Sequence, residues 1–185
     1  MEQYFSEDER LADGSAPLEP SALLERLAEL GIEAKTVEHA PVFTVEEAKA
    51  LRGELEGAHI KNLFLRNKKG RMWLVTCLED REVDLKALGD QLEAGRFSFG
   101  SPERLMSYLG VRPGAVTPFA VANDKGGAVT MVLDKGVIAH RLVNAHPLVN
   151  HMTTALTPAD LLKFLEAAGH PAQLIVMEPA GQGAG

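Results

Sequence analysis

Apolar positions at Leu23, Leu24, Leu27 and Leu30, followed by Gly31, have the spacing of one helix face with a glycine stop, and predict a helix over 21–30. A short strand is expected over 34–38. The next stretch, 39–43, should be irregular, because Pro41 has no N–H to give a ladder. Thr44 and, three residues on, Glu47 match a capping box, opening a helix to about 51. The runs 61–66 and 72–78 read as strands joined by a turn containing Gly70. Both are apolar on both faces, which places them centrally in a covered sheet. Asp84 can cap a helix through 92. Ser101-Pro102-Glu103 combines an N-cap serine, a first-turn proline and an acid, so a helix follows and ends near Gly110. A further strand pair is expected over 116–122 and 128–133. Thr157-Pro158 opens a last helix carrying Leu161, Leu162, Phe164 and Leu165 and closed by Gly169, and 173–177 is a final strand. Strands and helices interleave irregularly, which predicts a mixed α/β fold, a mixed sheet with helices packed around it.

The chain has 185 residues, enough for one domain, expected over 18–178. Residues 1–17 are acidic with little apolar periodicity and should form a loose or weakly helical extension; 179–185 are Gly/Ala-rich and should fray. Aromatic residues make up only 5%, so aliphatic side chains must supply the core. The formal net charge is −7, whereas a general nucleic-acid binder is basic. Any RNA contact must come from a local patch. One exists: the stretch 61–71 holds Lys61, Arg66, Lys68, Lys69 and Arg71 and no acid, as fits a phosphate-binding surface or a solvated hairpin tip. The single cysteine, Cys77, excludes an intrachain disulfide. With no leader pattern and no apolar run of membrane-spanning length, the cytoplasm is the expected compartment and no membrane partner is expected.

The sequence has no phosphate-binding glycine loop, no dinucleotide fingerprint and no Gly-x-Ser-x-Gly elbow. Its six histidines show no metal-ligand spacing, so no metal is expected. Cys77 reads as a buried strand residue rather than a nucleophile, and Ser101 as a helix cap. Lys61 opens an apolar strand, where it can be a solvated strand end or face a cleft and hold an anionic or carbonyl oxygen. Gly100 leads into a helix start, where backbone amides can point at an oxygen, or simply makes a turn. His146, restricted by Pro147, suits a pocket or a structural hydrogen bond equally.

The order of these pieces is more specific than any one of them. His39-x-Pro41-Val42-x-Thr44, Lys61-Asn62-Leu63-Phe64-Leu65, Phe99-Gly100-Ser101-Pro102-Glu103, Leu109-Gly110-Val111-x-Pro113-Gly114-x-Val116-Thr117 and His146-Pro147-Leu148 occur in sequence. This resembles the YbaK/prolyl-tRNA synthetase-associated editing domain family, and within it the freestanding alanyl-tRNA(Pro) deacylases, over about residues 20–178. The resemblance implies a curved mixed sheet with a cleft for the aminoacylated 3′ end of tRNA, and no cofactor. It implies Lys61, Gly100 and His146 as catalytic residues, with Asn62 and Ser101 beside the substrate. The basic residues Arg66, Lys68, Lys69 and Arg71 become the tRNA-binding patch. The implied partners are the acceptor end of proline tRNA and, transiently, prolyl-tRNA synthetase or an elongation factor.

The expected chemistry is ester hydrolysis, which needs positioning and charge stabilisation more than a strong nucleophile. Lys61 would hold the terminal nucleotide or ester, amides around Gly100 the carbonyl oxygen, and His146 the pocket wall. Water would attack, aided by the ribose hydroxyl. A small pocket admitting alanine and excluding proline would provide the selectivity, with Val45, next to Thr44, as a candidate wall. The rivals are a deacylase of the same fold acting on cysteinyl-, seryl- or threonyl-tRNA, a non-catalytic aminoacyl-tRNA-binding module, and a hydrolase acting through Ser101 or Cys77.

Overall fold

The computed structural model describes residues 3–41, 46–47, 50 and 55–177. The predicted hairpin forms the centre of the fold. Strand β2 (Ala58–Arg66) pairs antiparallel with β3 (Met72–Leu78) from Ile60↔Leu78 to Arg66↔Met72. The turn between them is tied by Asn67, whose side chain accepts the N–H of Lys69 at 3.1 Å and of Arg71 at 3.0 Å. Around this hairpin the sheet runs β1-β7-β6-β2-β3-β5-β8, with the two-residue β4 (Ser98–Phe99) on β2. The remaining strands are β1 (Lys35–Glu38), β5 (Val129–Asp134), β6 (Val143–Ala145), β7 (Met152–Leu156) and β8 (Gln173–Ile175). The β6–β2, β3–β5 and β5–β8 pairs are parallel and the rest antiparallel, so the sheet is mixed, as expected.

Alternation along β2 and β3 divides the core in two. Phe64, Leu74, Met131 and Leu133 face one cluster, which also takes Leu23 and Leu27 of α1 (Pro20–Glu29), Leu105 and Leu109 of α3 (Pro102–Leu109), and Leu161, Phe164 and Leu165 of α5 (Pro158–Ala167). Leu65, Trp73, Val75 and Cys77 face the other, covered by Leu88 of α2 (Leu85–Gln91) and by Phe97. A short α4 (Lys135–Ile138) follows β5. The capping signals act as read. Asp84 accepts the N–H groups of Lys86 and Ala87, Ser101 that of Arg104, and Thr157 that of Asp160.

Two expectations are corrected. The segment 116–122 is not a strand, and β5 pairs with β3 and β8 instead. Pro118–Asn123 is a 3-10 helix that starts on Thr117, whose hydroxyl accepts the N–H of Phe119. Every one of its six residues is buried. A run that is apolar on all sides fits a short buried helix as well as a central strand, and Pro118 prefers the helix start. Nor are the described residues of the N-terminal extension loose. Phe5 and Leu11 are buried, and the Glu9 carboxylate grips Arg112 through Nε at 2.8 Å and Nη2 at 2.7 Å. The same guanidinium lies 4.6 Å from the Tyr4 ring centre. The hydrogen bond from Arg112 holds the Glu9 carboxyl down at about 2. The Thr44 cap, the Val45 wall and the 179–185 tail lie outside the described residues.

Candidate active site

The edge of β2 opposite β3 is only partly covered. β6 pairs with it at Ala58 and His59, and β4 at Leu65 and Arg66. Among the described residues, no strand pairs with residues 60–63 on that side. Burial follows the same break: residues 59–63 are all half-buried, whereas Ala58, Phe64 and Leu65 are buried. A central strand is thus opened for four residues in mid-sheet, and Lys61 and Asn62 lie in the opening.

Alternation sends these two side chains to opposite faces. Asn62 is locked: its Nδ2 donates to Val116 O at 3.0 Å and its Oδ1 accepts from Thr76 Oγ1 at 2.6 Å. One amide N–H and one oxygen lone pair are used in joining β2 to β3 and to the 116 loop. The Lys61 ammonium donates to Arg81 O, which leaves two N–H bonds for a ligand. That carbonyl is itself fixed. Arg81 Nη1 donates to Met177 O at 3.0 Å, and Arg81 Nε lies 2.9 Å from Asp134 Oδ2, whose side chain is 1% exposed. The thiol of Cys77, opposite Lys61 in the ladder, is buried and pushed up to about 11 by that burial despite the nearby lysine charge. It is therefore a core residue with almost no thiolate at neutral pH.

His146 follows directly on β6. The parallel pairing with β2 ends at His59↔Asn144, so His146 lies two residues past it, at the β6 end of the opening. Its Nδ1 lies 2.9 Å from Met152 O. A carbonyl only accepts, so Nδ1 carries the proton and Nε2 keeps its lone pair. Burial lowers the imidazole from its usual range, outweighing that hydrogen bond, so the ring is neutral at pH 7. The loop after it is held by Leu148, buried at φ 71° and donating its N–H to His146 O at 2.9 Å. A non-glycine residue in the left-handed region is a local strain, of the kind that gathers at functional sites.

At the other end of the opening, Gly100 N–H donates to Phe64 O at 2.9 Å. The amide expected to meet a carbonyl oxygen is thus already spent on the sheet. The space at this glycine is also tight: a Cβ there would lie 3.0 Å from the Phe64 ring, which would have to give by a few tenths of an ångström. Ser101 keeps its hydroxyl on the helix cap, so neither it nor Cys77 has the setting of a nucleophile. The first turn of α3 has little to add, since Pro102 has no N–H and the Arg104 N–H is held by Ser101 Oγ.

Of the basic patch, Arg66 and Lys68 line a cavity of about 560 Å³ with Asn67, Arg96, Phe97 and Ser98. Arg71 instead lies over the Trp73 ring, 5.1 Å from its centre, and Lys69 is at the exposed turn. Two site residues were missed from the sequence. Arg96 joins the patch from a different segment. His39 sits with its ring centre 6.3 Å from that of His146 and its Nε2 2.8 Å from Thr153 Oγ1; its place in the first ordered motif was the available signal. Among the described residues no helix is long and apolar enough to cross a membrane, and no group of three or more acidic, histidine or cysteine side chains is placed to hold a metal ion.

The aminoacyl-tRNA editing domain matches residues 39–164, the stretch that carries the opening, both histidines and the basic cavity. Prolyl-tRNA editing protein ProX of Acetoanaerobium sticklandii is 40% identical over 150 residues, covering 80% of this chain and 92% of that one. Prolyl-tRNA synthetase associated domain-containing protein 1 of Bos taurus is 42% identical over 155 residues, 81% of this chain and 90% of that one. A solved structure of a candidate trans-editing enzyme for prolyl tRNA synthetase superposes with a TM-score of 0.65 at 22% identity, over 89% of this chain and all of that one, a likeness of fold. With a broken sheet edge holding a lysine and a neutral histidine inside the matched stretch, this chain belongs to the aminoacyl-tRNA editing domain family.

Proposed function

We propose that this chain is a trans-editing deacylase that hydrolyses alanine from mischarged proline tRNA. The observation that carries the reading is the interruption of β2: Lys61 lies in an opening in mid-sheet, and the neutral His146 follows β6 at one end of it. The prolyl-tRNA names of its relatives favour proline tRNA as the carrier.

The bond to be broken joins the amino-acid carbonyl carbon to a ribose oxygen of the terminal adenosine. Attack by water puts negative charge on the carbonyl oxygen. The two remaining N–H bonds of Lys61 can hold that oxygen or the adjoining ribose, in a site where charge is poorly screened. His146 offers Nε2 as an acceptor for the substrate's ammonium or hydroxyl groups, and its Nδ1–H bond to Met152 O holds it in that tautomer. The vicinal ribose hydroxyl assists the water, and the proton ends on the departing ribose oxygen. Asn62 supports Lys61 by fixing the backbone of β2. Arg66, Lys68 and Arg96 take the phosphates of the acceptor end. Proline's ring is larger than alanine's methyl group, so a pocket sized for alanine would reject correctly charged tRNA sterically. Purified chain incubated with alanyl- and prolyl-tRNA(Pro) tests this: release of alanine with prolyl-tRNA(Pro) spared supports it, and equal hydrolysis of both, or of neither, refutes it.

A further inference from the structure

Three large apolar side chains are exposed among the described residues: Phe99, Leu174 and Val176. The last two lie at and just beyond β8, on the far edge of the sheet. Phe99, 61% exposed, is at the opening. Its register with Leu65, and that of Leu65 with Trp73, put the three side chains in one row across β3, β2 and β4, on a single face. Trp73 and Leu65 are buried, and the ring at the end of the row is not. By alternation, Lys61 and Leu63 share that face. Four residues of strand at roughly 3.3 Å each separate Lys61 from the level of Phe99, about 13 Å, with half-buried Leu63 between them. The next residues on either side, Arg66 and Ser98, turn to the opposite face by the same alternation and line the basic cavity with Lys68 and Arg96 at that end of the strands.

An unpaired aromatic face beside a cationic groove is the arrangement that binds single-stranded nucleic acid, with bases on the ring and phosphates on the cations. We infer that Phe99 is a stacking platform for a base in the single-stranded 3′ end of the tRNA, one or two nucleotides before the aminoacylated terminus. The inference rests on the deacylase reading and adds to it how the end is threaded. Phosphates enter past the cavity of Arg66 and Arg96 at the end of the strands, the nucleic-acid strand crosses to the other face, where a base lies on Phe99, and the terminal ribose reaches Lys61. Stacking does not depend on base identity, so Phe99 contributes affinity and path rather than sequence selection. On a chain of net charge −7, this small aromatic and basic surface is where a polyanion can settle.

The test uses the full chain with tRNA(Pro) carrying, at each of its last three positions in turn, a fluorescent base analogue that stacking quenches. Wild type and Phe99→Tyr should quench at one of these positions, and Phe99→Ala should not. On alanyl-tRNA(Pro), Phe99→Ala should raise KM roughly 5- to 150-fold, the range that loss of one stacked base gives, with kcat at saturation within about twofold of wild type. Unchanged quenching and KM in Phe99→Ala, while wild type hydrolyses normally, overturn the stacking assignment alone. An unchanged KM together with a loss of self-association overturns it in favour of a contact between copies. A wild-type chain that neither binds nor hydrolyses alanyl-tRNA(Pro) overturns the deacylase reading beneath it.

Discussion

Replacing Asp134 by Asn separates positioning of Lys61 from mere stability. Asp134 is 1% exposed in its side chain and sits 2.9 Å from Arg81 Nε; neither atom has another hydrogen-bond partner among the described residues. The substitution removes the charge that holds Arg81, and Arg81 O is what holds the Lys61 ammonium. Breaking a fully buried pair costs about 3–5 kcal/mol. The Arg81 side chain is 26% exposed, so water recovers part of this, and about 2 kcal/mol is expected. For a chain of this length that lowers Tm by about 4–8 °C. A hydrogen bond from a charged donor contributes about 1.5–3 kcal/mol, which bounds the rate effect at roughly 10- to 150-fold. Asp134→Asn loosens that bond without deleting it, so about tenfold in single-turnover deacylation is expected. The decisive comparison is a double-mutant cycle well below either Tm. If Asp134 acts through Lys61, adding Asp134→Asn to Lys61→Ala leaves the residual rate unchanged. Multiplying effects would refute the relay and leave Asp134 a purely structural residue.

Three further outcomes follow from the geometry. His170 Nε2 is 2.9 Å from Asp124 Oδ2, with both side chains buried; the carboxylate raises the imidazole above 6.5. Burial opposes the charge on Asp124, but hydrogen bonds from His170, Val129 and Ala128 hold its carboxyl below 3.8. The histidine's contribution is full below pH 6.5 and lost as pH rises through its folded value; the aspartate's is present above pH 3.8 and lost as pH falls through its own. Urea unfolding should therefore find His170→Ala less stable by about 3 kcal/mol between pH 3.8 and 6.5, with a smaller deficit at pH 9; a pH-independent deficit would contradict the ion pair. Because burial keeps His146 below 6.5, the acid limb of kcat/KM should have its midpoint below pH 6.5, and a midpoint above it would remove the neutral histidine from the mechanism. Gly100→Ala pushes a methyl group against the Phe64 ring; overpacking of this kind costs about 1–3 kcal/mol, and both Tm and deacylation should fall, whereas an unaffected enzyme would show that β4 can shift freely.

What the sequence displayed well were features set by neighbours along the chain. The caps at Asp84, Ser101 and Thr157 and the hairpin around Gly70 depend on residues a few positions apart, and each formed as read. The segment 116–122 reads as a strand because the apolar run 118–122 within it has no periodicity to separate strand from buried helix. The docking of residues 3–19 depends on Arg112, about a hundred positions away, and no local pattern reveals a distant partner for Glu9. The site divides the same way. Lys61 and His146 stand out through ordered motifs, but that β6 and β4 leave β2 uncovered between them is a matter of register. So is the meeting of Arg96 with Arg66 and Lys68 around one cavity. Gly100 stands out in sequence for its amide, but that amide is bonded to Phe64 O and a Cβ there would press on the Phe64 ring.

The most direct test of the account is the initial rate of alanine release from alanyl-tRNA(Pro) by Lys61→Ala against wild type, with thermal unfolding of both run alongside. The account predicts a loss of at least about 100-fold, the scale of removing one preorganised charge-stabilising contact, with Tm lowered by only a few degrees, because the side chain is half-buried at an opening and water can replace it on Arg81 O. Turnover within about threefold of wild type, in a variant that is folded, would contradict it.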